Sequence, residues 1–202
     1  MNDSLRVKGR YTIGVSRPVF GTRWIVIALT KIIQFSNSKT VRTLAKKLRN
    51  TIPYTSTVKR GVGNLLTTVG INDMLDKYFS GTSYSVNLLF GLIGSVSTGV
   101  SISDTMSSHP GWSETIGYEG PGRNYAYWDS ASGGSKYGHL SSGEPGGFLA
   151  TAGYSIRGIF LTDNWAQAGT TGMLVSAGLL TGGIVTVVYG DRIFIEYTMT
   201  LS

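Results

Sequence analysis

The chain has 202 residues, with 18 Lys plus Arg against 11 Asp plus Glu, two histidines and no cysteine, a length that suits one domain of roughly 100–200 residues with or without an appendage. The missing cysteines exclude a disulfide scaffold, a thiolate metal site and a cysteine nucleophile, and with only His109 and His139 histidine-based metal sites and triads are nearly excluded too, so no cofactor or metal is expected. The net charge of +7 divides unevenly: residues 1–60 carry 13 cations and one carboxylate, Asp3, whereas residues 61–202 carry 5 cations and 10 carboxylates.

Taken in chain order, LRVKGRYTIGV alternates apolar and polar positions through Tyr11, Ile13 and Val15, which predicts a half-buried strand interrupted at Gly9. WIVIALTKII, residues 24–33, is rich in Trp, Ile and Val and predicts a second strand, buried on both faces. It is too short for the roughly 20 apolar residues of a bilayer span, and it contains Lys31. Its position and the absence of a small-residue cleavage site do not fit a secretory signal, so no membrane insertion is expected. In SNSKTVRTLAKKLRNTIP, Val41, Leu44, Ala45 and Leu48 recur at helical spacing among cations, with Ser38 as cap and Pro53 as stop. This predicts a short basic amphipathic helix.

NLLTTVGINDMLDKYFSG predicts a second helix near residues 66–80, with Gly81 suited to its C-terminal cap and Gly70 weakening its first turn. Glycine is scarce before residue 61 and abundant after it, 3 against 25, so a boundary falls near Gly61. Beyond residue 84 short β-type runs follow at intervals of roughly ten residues. They cover 86–93, 112–118, 123–128, 148–152, 154–161, 173–177, 184–189 and 192–201. In the last, Ile193, Ile195, Tyr197, Met199 and Leu201 share one face, and Gly190-Asp191 reads as a tight hairpin pairing the final two strands. The chain is therefore expected to be mainly β: an antiparallel β-sandwich or jelly-roll with one or two short helices in the N-terminal half. Residues 1–60 form a basic docking segment of two strands and a helix, and 61–202 the sandwich domain.

Catalytic motifs are scarce. Gly133-Gly134-Ser135-Lys136 has phosphate-loop residue types in the wrong order, and Gly117 to Gly122 reads as a turn. Asp104, Glu114, Glu119, Asp129 and Glu144 are the carboxylates that a glycoside hydrolase would need to pair, but they lie on loop-rich ground with no spacing that sets two at a catalytic separation. His109 and His139 read as loop residues without second ligands, and no enzyme is expected. The basic segment is more informative. Arg42, Lys46, Lys47 and Arg49 are assigned to partner docking on an acidic protein surface, ahead of a solvated face or a nucleic-acid contact. Trp24 and Phe35 sit in apolar runs rather than among the cations, which argues against a stacking platform for single strands. Trp112, Tyr125, Tyr127 and Trp128 are either sandwich core or an exposed recognition face, with core favoured.

From about Lys59 to Ser202 the chain resembles a widespread group of small virion proteins of tailed bacteriophages, of β-sandwich type. The resemblance is carried by NLLTTVGINDMLDKYFSG at 64–81, FGLIGS at 90–95, SDTMSSHPGWSE at 103–114 and GRNYAYWDSASGGS at 122–135. It continues through YSIRGIFLTDN at 154–164, GTTGMLVSAG at 169–178 and GDRIFIEYTMTLS at the end, and VKGRYTIGV is similar to the group's opening strand. Residues 17–60 depart from it, a basic segment standing where a short polar hairpin is expected. The resemblance implies a non-enzymatic structural subunit of the virion, assembled in the host cytoplasm. A tail or neck appendage, such as a fibre or fibre-attachment protein, is favoured, and a capsid decoration protein clamping major capsid subunits is the alternative. Implied partners are portal, adaptor, nozzle or major capsid proteins, a host-surface receptor, and further copies of the chain, as in a trimer. A nucleic-acid-binding protein and a polysaccharide-degrading enzyme are the remaining expectations.

Overall fold

A computed structural model describes residues 7–19, 22–52, 54–80, 87–140 and 147–201. Leu5, Pro53, Gly81 and Val86, which bear on the expectations above, lie outside them. The elements are β1 (Val7–Pro18), α1 (Arg23–Phe35), α2 (Lys39–Asn50), β2 (Tyr54–Leu66), α3 (Thr68–Ser80), β3 (Leu89–Val96), β4 (Trp112–Thr115) and β5 (Asn124–Trp128). They continue as β6 (Ser135–Leu140), β7 (Phe148–Leu149), β8 (Tyr154–Ile156), β9 (Gly158–Thr162), β10 (Leu174–Leu180), β11 (Val185–Val187) and β12 (Arg192–Leu201).

The expected mainly-β, antiparallel architecture is what the chain forms. Its main sheet runs β1-β2-β10-β9-β3-β5-β6-β12, and β12 pairs again with β1, so the sheet curls into a nearly closed barrel. The β3–β5 seam is thin, with only Leu89 opposite Tyr125 and Phe90 opposite Asn124. β1 and β12 show how alternation builds the interior: Tyr11, Ile13 and Val15 pair across from Tyr197, Ile195 and Ile193, and all six are buried. Glu196 on the opposite face is exposed. The alternation read in the last strand is therefore the observed one.

β3, β9 and β10 are covered on both faces. Their inward residues Phe90, Leu92, Ile159, Leu161 and Val175 fill the barrel. Their outward residues Ile93, Phe160, Leu174 and Ala177 form a second cluster with Met106 and Trp112, under the connection from β3 to β4. Gly91 faces Phe160 across the β3–β9 pair, and a Cβ there would overlap the Phe160 ring. Gly91→Val is expected to lower stability by about 1–3 kcal/mol through overpacking, measured by urea unfolding; a midpoint equal to wild type would show that Phe160 can move aside.

Several local expectations are corrected. Residues 24–33 are not a buried strand but most of α1, which buries only Val26, Thr30 and Ile33 at i, i+4 and i+7. β-branched composition is a weak prior, and packing of one helical face overrides it. Among the described residues the helices therefore number three rather than one or two. The segment from residue 64 begins as strand, with α3 starting at Thr68 after Thr67 accepts a hydrogen bond from the Gly70 N–H, 3.1 Å. Gly70 is buried against the Val175 backbone, and a side chain there would collide with it. Residues 135–140, read as loop, form β6, and His139 lies within it. The turn at Gly190-Asp191 exists, with φ of +88° at Gly190 and a 3.0 Å bond from Asp191 N to Val188 O. It does not make a hairpin, because β11 pairs with β8 while β12 pairs with β1, β6 and β7.

The basic segment is woven into the barrel rather than appended to it. β2 runs through Gly61, the compositional boundary, and lies between β1 and β10. α1 and α2 occupy the connection from β1 to β2, pack against each other, and leave the chain to re-enter the sheet at Tyr54, opposite Pro18. Asp191, fully buried, fastens α1 in place. Its carboxylate accepts from Arg17 Nε at 3.3 Å and lies 3.7 Å from Arg23 Nη2, while Arg23 donates to the Tyr189 carbonyl at 3.1 and 3.2 Å.

Candidate functional site

α2 forms as its cap and periodicity dictate, with Ser38 Oγ accepting from Val41 N at 3.4 Å. Its orientation differs from a simple amphipathic reading. Only Ala45 and Arg49 are buried, while Val41, Leu44 and Leu48 are exposed together with Arg42, Lys46 and Lys47. Arg49, expected to meet a partner, turns inward and places Nη1 2.7 Å from Glu119 Oε2. At the next residue, the last of the helix, Asn50 Oδ1 accepts from Arg192 Nη2 at 3.2 Å. Arg192 is the buried first residue of β12. These contacts bring the C-terminal end of α2 against the barrel.

Across from them stands β5. Its backbone alternation packs Ala126 and Trp128 against the barrel core, half-buried, and leaves Tyr125 and Tyr127 45% and 50% exposed. Trp128 packs edge-on against Tyr197, ring centroids 5.9 Å apart. Between α2 and β5 lies a groove of about 740 Å³, lined by Lys46, Lys47, Arg49, Glu119, Tyr125, Tyr127 and Arg192 among others. Three of the four docking candidates and two of the four aromatic candidates thus meet in one place. Arg42 is exposed but does not line the groove, and Trp112 is buried in the second core cluster. Glu119 was expected only as one of several carboxylates, and Arg192 was not anticipated. A cation opening an otherwise apolar strand was the available signal.

Asp104 and Glu114 are held by structural partners. Asp104 Oδ2 accepts from Trp112 Nε1 at 2.8 Å and from Ser101 N at 2.9 Å, and His109 stacks on Trp112 with centroids 3.9 Å apart. Glu114 receives both arms of Arg123, each at 2.8 Å, and also the Ala168 N–H at 2.7 Å. Ala168 has φ of +53°, the one non-glycine residue in the left-handed region among the described residues. Asp129 lies 3.8 Å from His139 Nε2. Glu144 lies outside the described residues. Among the described residues no three His, Asp or Glu side chains gather as a metal site, and no helix is long and apolar enough to cross a membrane.

Burial raises the phenol pKa of Tyr118, beside Glu119, with the nearby Glu114 carboxylate adding to the rise. The outward side of α1 carries a different chemistry. Trp24, expected within a buried strand, is 77% exposed, Phe35 just beyond that segment is 79% exposed, and Ile25 and Ile32 are exposed with them. Seven cations lie between Arg23 and Arg49, and no carboxylate occurs from residue 4 to residue 72. No protein-family model matches the chain, and no curated protein matches it.

Proposed function

We propose that the protein is a non-enzymatic structural subunit of a tailed-phage virion, docking on another virion protein through α1 and α2. The observation that carries the proposal is the outward face of α1, where Trp24 and Phe35 stand exposed on a basic stretch of chain that has no carboxylate from residue 4 to residue 72. Large aromatic side chains left in water at 77% and 79% exposure are costly and are used where a partner covers them. The surrounding positive charge selects a partner surface that is acidic at its rim and apolar at its centre. The residue blocks from Lys59 to Ser202 that resemble phage virion proteins support the same reading, as does the mainly-β fold. A tail or neck appendage is the favoured position, with capsid decoration as the alternative.

Trp24→Glu combined with Phe35→Glu is expected to leave the folded barrel unchanged by circular dichroism and to abolish incorporation into particles, read by quantifying the protein in purified virions. Normal incorporation of the double variant would sink the docking assignment. Absence of the wild-type protein from purified virions would sink the virion reading as a whole. In wild-type particles, tens of copies would support an appendage and hundreds a decoration protein.

A further inference from the structure

We infer that the groove between α2 and β5 binds an acidic carbohydrate, a short sugar chain bearing carboxylate or phosphate groups. The reasoning begins with charge. Lys46, Lys47, Arg49 and Arg192 line the groove against a single described carboxylate, Glu119. Two of these cations, Arg49 and Arg192, are buried. A buried guanidinium is retained when its charge and its donors are both answered. Arg49 has its charge answered by Glu119 at 2.7 Å, but its Nε is buried without a hydrogen-bond partner among the described residues. An anion seated in the groove would accept from it, and a charge-assisted bond to guanidinium is among the stronger polar contacts available to a ligand.

The remaining lining narrows the ligand. Tyr125 and Tyr127 expose flat rings two residues apart on one strand, about 7 Å, and Asn50, Asn124 and Thr43 add neutral donors and acceptors. Aromatic faces beside amides and hydroxyls suit a ligand with both apolar ring faces and many hydroxyl groups. β5 has β3 on one side and β6 on the other, so the groove is built on strand faces rather than on an open strand edge of the kind that captures extended peptides. At about 740 Å³ the groove falls within the range of a discrete ligand site. A single-stranded nucleic acid would need a longer cationic track spanning several nucleotides. Trp24 and Phe35 are not part of the lining, so this inference goes beyond the virion proposal and does not rest on it.

Titration calorimetry on the purified full chain tests it with four probes: a galacturonic acid trisaccharide, a phosphorylated disaccharide, the neutral trisaccharide maltotriose, and a single-stranded thymidine oligonucleotide. Binding of either acidic sugar with none of maltotriose is expected, and the two acidic probes separate carboxylate from phosphate recognition. Lys46→Ala with Lys47→Ala, and separately Tyr127→Ala, are each expected to weaken binding about tenfold or more with unchanged thermal unfolding. All of these side chains are exposed, so the variants keep the buried contacts of the fold. Failure of both acidic sugars to bind, equal binding of maltotriose, tighter binding of the oligonucleotide, or indifference to both variants would overturn the inference.

Discussion

Glu114→Ala is expected to destabilise the protein by about 3–5 kcal/mol, the cost of leaving a buried charge without its partner. The two side chains are nearly inaccessible, 1% exposed for Arg123 and 6% for Glu114, and their two bonds are both 2.8 Å. Arg123 also donates to the Asn164 carbonyl at 2.7 Å and the Gly169 carbonyl at 3.3 Å, and lies 5.1 Å from the Phe160 ring centroid. Removing the carboxylate strands the guanidinium against carbonyls and an aromatic ring, and also releases the Ala168 N–H, whose residue is held at φ of +53°. Equilibrium urea unfolding measures the loss. A cost below about 1 kcal/mol, the range of exposed ion pairs, would show that water reaches Arg123. The double variant Glu114→Leu, Arg123→Met is expected to recover much of the loss, because an apolar pair of similar volume removes the need for compensation. These results bear on the hydrolase expectation as well, since a Glu114 variant that loses stability says nothing about catalysis.

A second large effect is expected at alkaline pH. Burial raises the phenol pKa of Tyr11, Tyr118 and Tyr154, with neighbouring Tyr197, Glu114 and Asp191 respectively adding to it, and pushes Tyr197 up to about 12. In the unfolded chain each phenol ionises near 10. Below pH 10 both states keep the proton and the full stability is present. Between pH 10 and about 12 the unfolded chain releases protons that the folded chain retains, so stability falls as pH rises. Well above pH 10 each phenol contributes a slope approaching about 1.4 kcal/mol per pH unit, and four together about 5.5 kcal/mol per unit, comparable with the whole stability of an ordinary domain. The Tyr11 and Tyr197 rings pack at a tilt with centroids 4.5 Å apart, and Asn64 Nδ2 donates to the Tyr197 hydroxyl at 2.8 Å, while Tyr11 and Ser176 share a hydrogen bond. The part of the phenolate absorbance that comes from these four buried tyrosines is expected to appear together with the loss of far-ultraviolet circular dichroism, in one cooperative step above pH 10. Ionisation of all tyrosines near pH 10 with the fold intact would contradict the burial.

Much of the barrel is legible from period and caps because those signals are local. Ile193, Ile195 and Tyr197 alternate with polar residues, and Ser38 caps α2 as its position suggests. α1 is illegible for a physical reason: Val26 and Ile33 face inward while Trp24, Ile25, Ile32 and Phe35 face out. A run this rich in Ile and Val, apolar on both faces, reads as a buried strand before its helical period is noticed. β6 is hidden by Gly138 within it and by Gly133 and Gly134 just before it. Gly138 leaves space for the Trp128 ring, whose nearest atoms lie 2.9 Å from where a Cβ would be, yet glycine in sequence reads as turn. The groove was legible in parts and not as a whole. Lys46, Lys47, Tyr125 and Tyr127 stand out individually, but nothing local brings residue 47 to residue 125. Arg49 looks like its neighbouring cations until Glu119 approaches it from a distant turn.

The placement of α1 and α2 has one more consequence. Pro18 and Tyr54 are opposite one another in the β1–β2 ladder, so the helical pair begins and ends at a single rung. Segments whose ends already meet can be lengthened, shortened or exchanged with little entropic penalty to the host fold. The barrel can thereby keep its interior while this one connection is changed, with every other strand left in register.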